Sequence, residues 1–180
     1  MNTYISLLRG INVGGHRKIK MADLRKHYES LSFQNVRSYI QSGNLVFQSE
    51  ESDQRKIENL ISDKIKEVYG YDVPVIIRTK QEWNRVVSTN PFLDKIDDIN
   101  FLSVSFLSDI PEKSILEVIV AQNTDGDRIM SSGKEFYAYT NNGFRNTRFT
   151  NTFMEKKFKL NITTRNWKTI LKLQEILEKE

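Results

Sequence analysis

The sequence predicts an α+β fold in which a β-α-β-β-α-β unit occurs twice, with an extra helix at the C-terminal end. Three observations carry that expectation. Short apolar runs with a period of two alternate with longer stretches whose apolar residues recur every three or four positions. The order of these segments repeats after about residue 100. The 180 residues are enough for two small cores without disulfides or a metal staple.

The elements follow in order. Thr3–Arg9 reads as a strand, with Ile5 and Leu7 alternating with Tyr4, Ser6 and Leu8. A glycine-bearing loop runs from Gly10 to Lys20. Met21, Leu24, Tyr28 and Leu31 recur at helical spacing. Val36–Gln41, a Ser42-Gly43-Asn44 turn and Asn44–Gln48 form a hairpin. Ile57, Ile61, Ile65 and Val68 mark a helix from about Asp53 to Tyr69, which Gly70 ends. Val73–Thr79 is a further strand. This order is the ferredoxin-like unit. Thr79 and Glu82 fit a capping box for a short helix carrying Trp83, Val86 and Val87. Phe101–Leu107 opens the second half. A helix begins near Pro111, a hairpin covers 127–140, and Thr150 or Thr152 caps a helix with Phe153, Met154 and Phe158. Leu160–Thr163 is a short strand, and Trp167, Ile170, Leu171 and Leu177 mark the last helix. The expected organisation is a ferredoxin-like subdomain over 1–79, a helical connector over 80–99, and a second such subdomain with its extra helix over 100–180.

Composition narrows the function classes. Hydrophobic residues are 38% and charged residues 28%, the balance of a globular, water-soluble chain. The chain holds no cysteine, which excludes disulfide scaffolds, thiolate metal sites and cysteine nucleophiles. Only His16 and His27 are available for imidazole chemistry. No apolar run approaches membrane-spanning length, and the N-terminus lacks a secretory pattern, so a cytoplasmic location is expected. The charge is uneven. Residues 1–50 carry seven Lys/Arg against three Asp/Glu, and 151–180 carry seven against four, while the middle is slightly acidic. Basic ends that met would make a positive face for phosphates, nucleic acid or acidic ligands.

Four segments hold the polar chemistry. The first is Arg9-Gly10-Ile11-Asn12-Val13-Gly14-Gly15-His16-Arg17-Lys18-Ile19-Lys20. It has three glycines, four cations and no acid between a strand and a helix, an arrangement suited to an anion. It matches neither a P-loop nor a G-x-G-x-x-G fingerprint. As a plain connection it is unusually long. The second is Gln41-Ser42-Gly43-Asn44, whose residues also suit an ordinary turn. The third is Asn161-Ile162-Thr163-Thr164-Arg165-Asn166-Trp167-Lys168, with Thr164 as a helix cap and Arg165 and Asn166 as ligand candidates. The fourth is the polar loop Asn141–Arg148. Asp125 and Asp127 around Gly126 read as a turn rather than a metal site.

The strings YISLLRGINVGGHRKIKMADLR, YIQSGNLVF and TTRNWKTILKL resemble the bacterial family known as domain of unknown function 1697. The shared pattern falls on Arg9–Gly15, Tyr39–Asn44 and Thr164–Trp167. The resemblance implies a duplicated fold of ferredoxin-like units and supplies no activity, cofactor or catalytic residue. Relatives often carry a small residue and a lysine where Asn146-Thr147-Arg148 stands here.

The expected function is binding of a small phosphorylated or anionic ligand, with Arg9, Gly10, Asn12, Gly14, Gly15, Lys18, Gln41, Ser42, Asn44, Arg165 and Asn166 as the candidate site. The alternative is an RNA- or DNA-binding module that stacks bases on an open sheet face through Tyr4 and Tyr39. No metal ligand set, cofactor or nucleophile is assigned. The two arginines are expected to be functional cations rather than supports of the fold.

Overall fold

The computed structural model describes residues 1–95, 98–121, 126–141, 143 and 147–179. The first half runs β1 (Asn2–Leu8), α1 (Met21–Ser30), β2 (Gln34–Tyr39), β3 (Asn44–Ser49), α2 (Gln54–Tyr69), β4 (Val75–Thr79) and α3 (Lys80–Ser88). The second runs β5 (Leu102–Leu107), α4 (Lys113–Ala121), β6 (Arg128–Ser132), β7 (Glu135–Tyr139), α5 (Asn151–Phe158), β8 (Ile162–Asn166) and α6 (Trp167–Glu178). The strands make two antiparallel sheets, ordered β2-β3-β1-β4 and β6-β7-β5-β8. The β-α-β-β-α-β order expected from the sequence therefore occurs twice. The helix expected in the connector, α3, follows β4 as α6 follows β8, so both halves carry the extra helix.

The register repeats with the order. Ile5 faces Arg78 and Ser6 faces Ile77 across β1 and β4. Val104 faces Arg165 and Ser105 faces Thr164 across β5 and β8. Ser6 and Ser105 thus hold equivalent positions, as do Arg78 and Arg165.

The chain divides into two compact units, Met1–Arg85 with Lys172–Glu180, and Val86–Leu171. In the first, α1 and α2 lay Leu24, Tyr28, Ile57, Ile61 and Ile65 on Tyr4, Leu8, Leu45, Phe47 and Ile77. Burying each such side chain contributes about 1.5–3 kcal/mol. Asp53 caps α2 by accepting from the Arg55 and Lys56 amides, and Gly70 ends it at φ 70°. In the second, Ile119, Met154 and Phe158 pack on Leu107, Phe136, Ala138 and Ile162. The Thr150 hydroxyl accepts from the Phe153 amide and caps α5.

Several local expectations are corrected. Strand β8 begins and ends later than the hydropathy suggests, because Thr163, Thr164 and Arg165 are sheet residues whose polar atoms find partners there. Thr164 is mid-strand and does not cap α6. Asn166 does, its Oδ1 accepting from the Thr169 amide at 2.8 Å. The capping box on α3 forms as expected, with Thr79 Oγ1 accepting from the Glu82 amide and Glu82 Oε2 from the Thr79 amide. Helix α4 starts at Lys113, past Pro111.

Candidate functional site

The polar segments of the first unit assemble around the C-terminal end of β1. The loop between β1 and α1 is a miniature hairpin. The Asn12 amide donates to the Arg17 carbonyl at 3.2 Å, and the His16 amide to the Val13 carbonyl at 3.0 Å. Gly14 and Gly15 at its tip have φ 58° and 80°. Two consecutive positive φ values are what a tight hairpin turn between Val13 and His16 demands. The glycines therefore serve the ribbon's turn. The ribbon is anchored at both ends by Ile11 and Ile19, which are buried in the core under α1 and α2. Between these anchors Val13, Gly14, Gly15, His16 and Lys18 are exposed, and Arg17 is half-buried.

One side chain holds the loop shut. Asn12 Nδ2 donates to the Ile19 carbonyl at 2.9 Å and to the Gln41 carbonyl at 2.8 Å, and its Oδ1 accepts from the Ile19 amide at 2.9 Å. Asn12 thus ties the two ends of the loop to each other and to the β2–β3 turn. The turn is tied again where the Leu8 amide donates to the Gly43 carbonyl at 2.8 Å. Gly43 has φ 77°, and a Cβ there would lie 2.6 Å from Leu8 Cβ and 2.9 Å from Ile11 Cδ1. No other residue fits without moving both. The loop and the turn, read as separate motifs in the sequence, are one structure.

The same contacts define what each candidate contributes. Asn12 and Asn44 position the others. Asn44 is buried, and its Nδ2 donates to the Tyr39 carbonyl at 3.1 Å and to Ser42 Oγ at 2.9 Å. Gln41 supplies its carbonyl to Asn12 and leaves its side chain exposed. Arg9 follows β1, with its amide bonded to the Pro74 carbonyl at 2.9 Å. Arg17 Nη1 lies 3.6 Å from where a Gly10 Cβ would sit. Lys18 and Lys20 are exposed on the rim. The backbone is left-handed at Asn12, Arg17 and Ile40, with φ 55°, 47° and 52°. For β-branched Ile40, exposed at the surface, that conformation is a true outlier. Strain of this kind persists only where surrounding contacts over-determine it.

Sequence reasoning missed four neighbours. Asp72 pairs with Lys66 at 2.8 Å. Lys66, and more weakly Arg17, hold the Asp72 carboxyl below its usual range. Tyr69 and Tyr71, flanking the left-handed Gly70, stack with centroids 6.1 Å apart and planes 12° from parallel. His27 is half-buried and hydrogen-bonded through Nε2 to the Tyr69 hydroxyl at 3.1 Å. The only signal for them was a short aromatic repeat around a helix-ending glycine.

The remaining candidates lie in the second unit. Arg165 is buried, not surface-exposed, and its Nη1 donates to Thr163 Oγ1 at 2.6 Å and to the Thr164 carbonyl at 3.0 Å. Arg78 makes the same bond to the Ile77 carbonyl at 2.9 Å, which marks both as parts of the repeated architecture. Asn166 is the α6 cap. Asp127 is buried, accepting from the Asn141 amide and from Thr147 Oγ1, which fits a turn clamp. Asp125, Asn142 and 144–146 lie outside the described residues. Tyr4, expected on an open sheet face, is buried on the helix side, its hydroxyl donating to the Glu51 carbonyl at 2.9 Å. The opposite face, with Ile5, Leu7, Val46 and Ile76, is buried too.

Two clefts of the first unit lie at the other end of its sheet. One of about 540 Å³ is bordered by Asn2, Tyr4, Ser52, Thr79 and Asn84. One of about 300 Å³ is bordered by Leu31, Phe33, Ser49, Glu51 and Leu60. Neither is lined by a residue of the candidate anion site, and Tyr4 borders the larger. Among the described residues no group of three acidic or imidazole side chains could hold a metal, and no helix is long and apolar enough to cross a membrane.

Comparison with known proteins agrees with this architecture. The model of a family described as "Protein of unknown function (DUF1697)" matches residues 1–137. The conserved bacterial protein SP0830 from Streptococcus pneumoniae superposes with a TM-score of 0.73 at 25% identity, over 99% of each chain. No curated protein matches the sequence. The chain belongs to the DUF1697 family.

Proposed function

We propose that this member of the DUF1697 family binds a small phosphate-bearing or otherwise anionic ligand at the basic ribbon of its first half. The observation that carries the reading is a contrast between the halves. The first half connects its opening strand to its opening helix through residues 9–20, with four cations and no acid. The second makes the equivalent connection through 108–112, with Asp109, Glu112 and no cation. The fold closes this connection with five residues, so the longer, wholly basic version answers another demand. The ribbon's backbone is also tied, by the Asn12 side chain and by the packing of Ile11 against Gly43. A backbone held in place before binding loses less entropy on meeting a ligand than a loose loop.

The strand order suits the ferredoxin-like arrangement, and a cysteine-free chain suits the cytoplasm. Base stacking on the sheet face is disfavoured, since Tyr4 points to the helices and the other face is buried. The test is calorimetric titration with sodium tripolyphosphate at low salt. The reading predicts binding that weakens at least tenfold in the triple variant Arg17→Gln, Lys18→Gln, Lys20→Gln, with an unchanged denaturation midpoint. Equal affinity in the two proteins would reject it.

A further inference from the structure

We infer that the ligand of this site is a nucleotide unit, with its phosphates on the ribbon cations and its base stacked on the Tyr69–Tyr71 pair. The inference rests on the anion-site reading above and adds to it the part of the ligand that is not phosphate. The segment that follows the two tyrosines reaches the base of the ribbon. The Arg9 amide bonds to Pro74, Asp72 lies two residues earlier, and its carboxyl feels the Arg17 charge. Tyr71 is the residue before Asp72. Arg17 in turn sits over Gly10.

The aromatic pair is built to keep its orientation. Its planes are 12° from parallel. Tyr69 is held by the hydrogen bond between its hydroxyl and His27 Nε2 and by an edge contact of the two rings, at 5.6 Å and 82°. Both tyrosines are half-buried at the margin of the core, so each ring keeps part of its surface in solvent. Burial and the Asp23 charge push the Tyr69 hydroxyl upward. A flat aromatic surface beside the ribbon's cations suits a ligand with a π-face and phosphates, and aromatic side chains receive any nucleobase this way.

The experiment titrates the full chain with three probes: sodium tripolyphosphate, ATP, and a twelve-residue oligothymidylate. Stacking predicts ATP binding about tenfold tighter than tripolyphosphate. It predicts that Tyr71→Leu, which keeps an apolar group at that margin, removes the ATP advantage without altering tripolyphosphate binding, while Tyr71→Phe retains it. A free nucleotide as the natural occupant gives ATP and the oligomer similar affinity per site. A nucleic acid strand gives the oligomer tighter binding with a steep salt dependence. ATP no tighter than tripolyphosphate in the unmodified protein overturns the inference and leaves the anion site standing. Failure of all three probes to bind overturns both.

Discussion

The two halves of this chain are the same construction carried out under different constraints. Their strands share order and register, down to Ser6 with Ser105 and Arg78 with Arg165. Their connections differ. Where the second half turns β6 into β7 through Gly133 and Lys134 alone, the first turns β2 into β3 through 40–43, with a left-handed Ile40 and a buried Gly43. Where the second leaves β5 by a short acidic connection, the first leaves β1 by a clamped basic ribbon. Each departure in the first half lies at one end of one sheet. The second half therefore shows what the fold needs, and the difference shows what the first half adds.

The largest test of that contrast is at the hairpin glycines. Gly43→Ala should cost about 2–4 kcal/mol, combining a left-handed backbone with overpacking against Leu8 and Ile11. Gly133→Ala meets nothing nearer than 3.9 Å, so it should cost about 1–2 kcal/mol from its backbone alone. Urea midpoints of the two variants compare them directly, and equal losses would mean the packing of Gly43 is not special.

Next in size is the clamp. Asn12→Ala leaves the Ile19 amide and the Gln41 carbonyl without their side-chain partner and should cost about 1–3 kcal/mol. It should also weaken tripolyphosphate binding, because the ribbon that carries the cations loses its tie. In the second half's connection, Ser108 Oγ accepts from the exposed Asn161 amide. Ser108→Ala should stay within about 0.5 kcal/mol. Loss of stability without loss of binding in Asn12→Ala would separate the ribbon from the site.

The extra helices sharpen the comparison by similarity. Thr79→Ala and Asn166→Ala each remove a cap and should each cost about 1 kcal/mol, read from thermal or urea unfolding. A much larger loss at one of them would break the equivalence of α3 and α6.

The smallest effect concerns acid. The Lys66 and Arg17 charges lower the Asp72 carboxyl, so its contribution is present above its unfolded value near 4 and is lost as pH falls through the lower folded value. The pair is exposed and screened. Asp72→Asn should therefore leave neutral stability nearly unchanged and slightly flatten the acid limb of a urea-midpoint profile between pH 2 and 6. A large neutral loss would show that Asp72 supports the ribbon.

The repeated order was legible because α1 and α2 carry clean helical periods and β1 and β5 alternate. The last strand was misplaced because its polar residues, Thr163 to Asn166, find partners that a single chain cannot display: Ser105 is 59 positions from Thr164. The ribbon was legible as a basic, glycine-bearing loop, but its junction with the turn was not. That junction depends on Asn12 reaching Gln41, 29 positions away, and on a glycine chosen for the space between Leu8 and Ile11. Arg165 looked like a surface cation because buried arginines are rare. Its equivalence to Arg78 appears only once the two registers are laid side by side. The tyrosine pair stayed hidden because its geometry comes from the left-handed Gly70 between the rings.

The central claim is that the first half carries the anion site and the second half, with the same fold, does not. Amide hydrogen exchange of the full chain with and without tripolyphosphate tests it in one measurement. Ligand should slow exchange at 9–20 and 40–44 and leave the equivalent connections, 108–112 and 132–135, unchanged. Protection of the second-half connections, or of neither set under saturating ligand, would contradict the account.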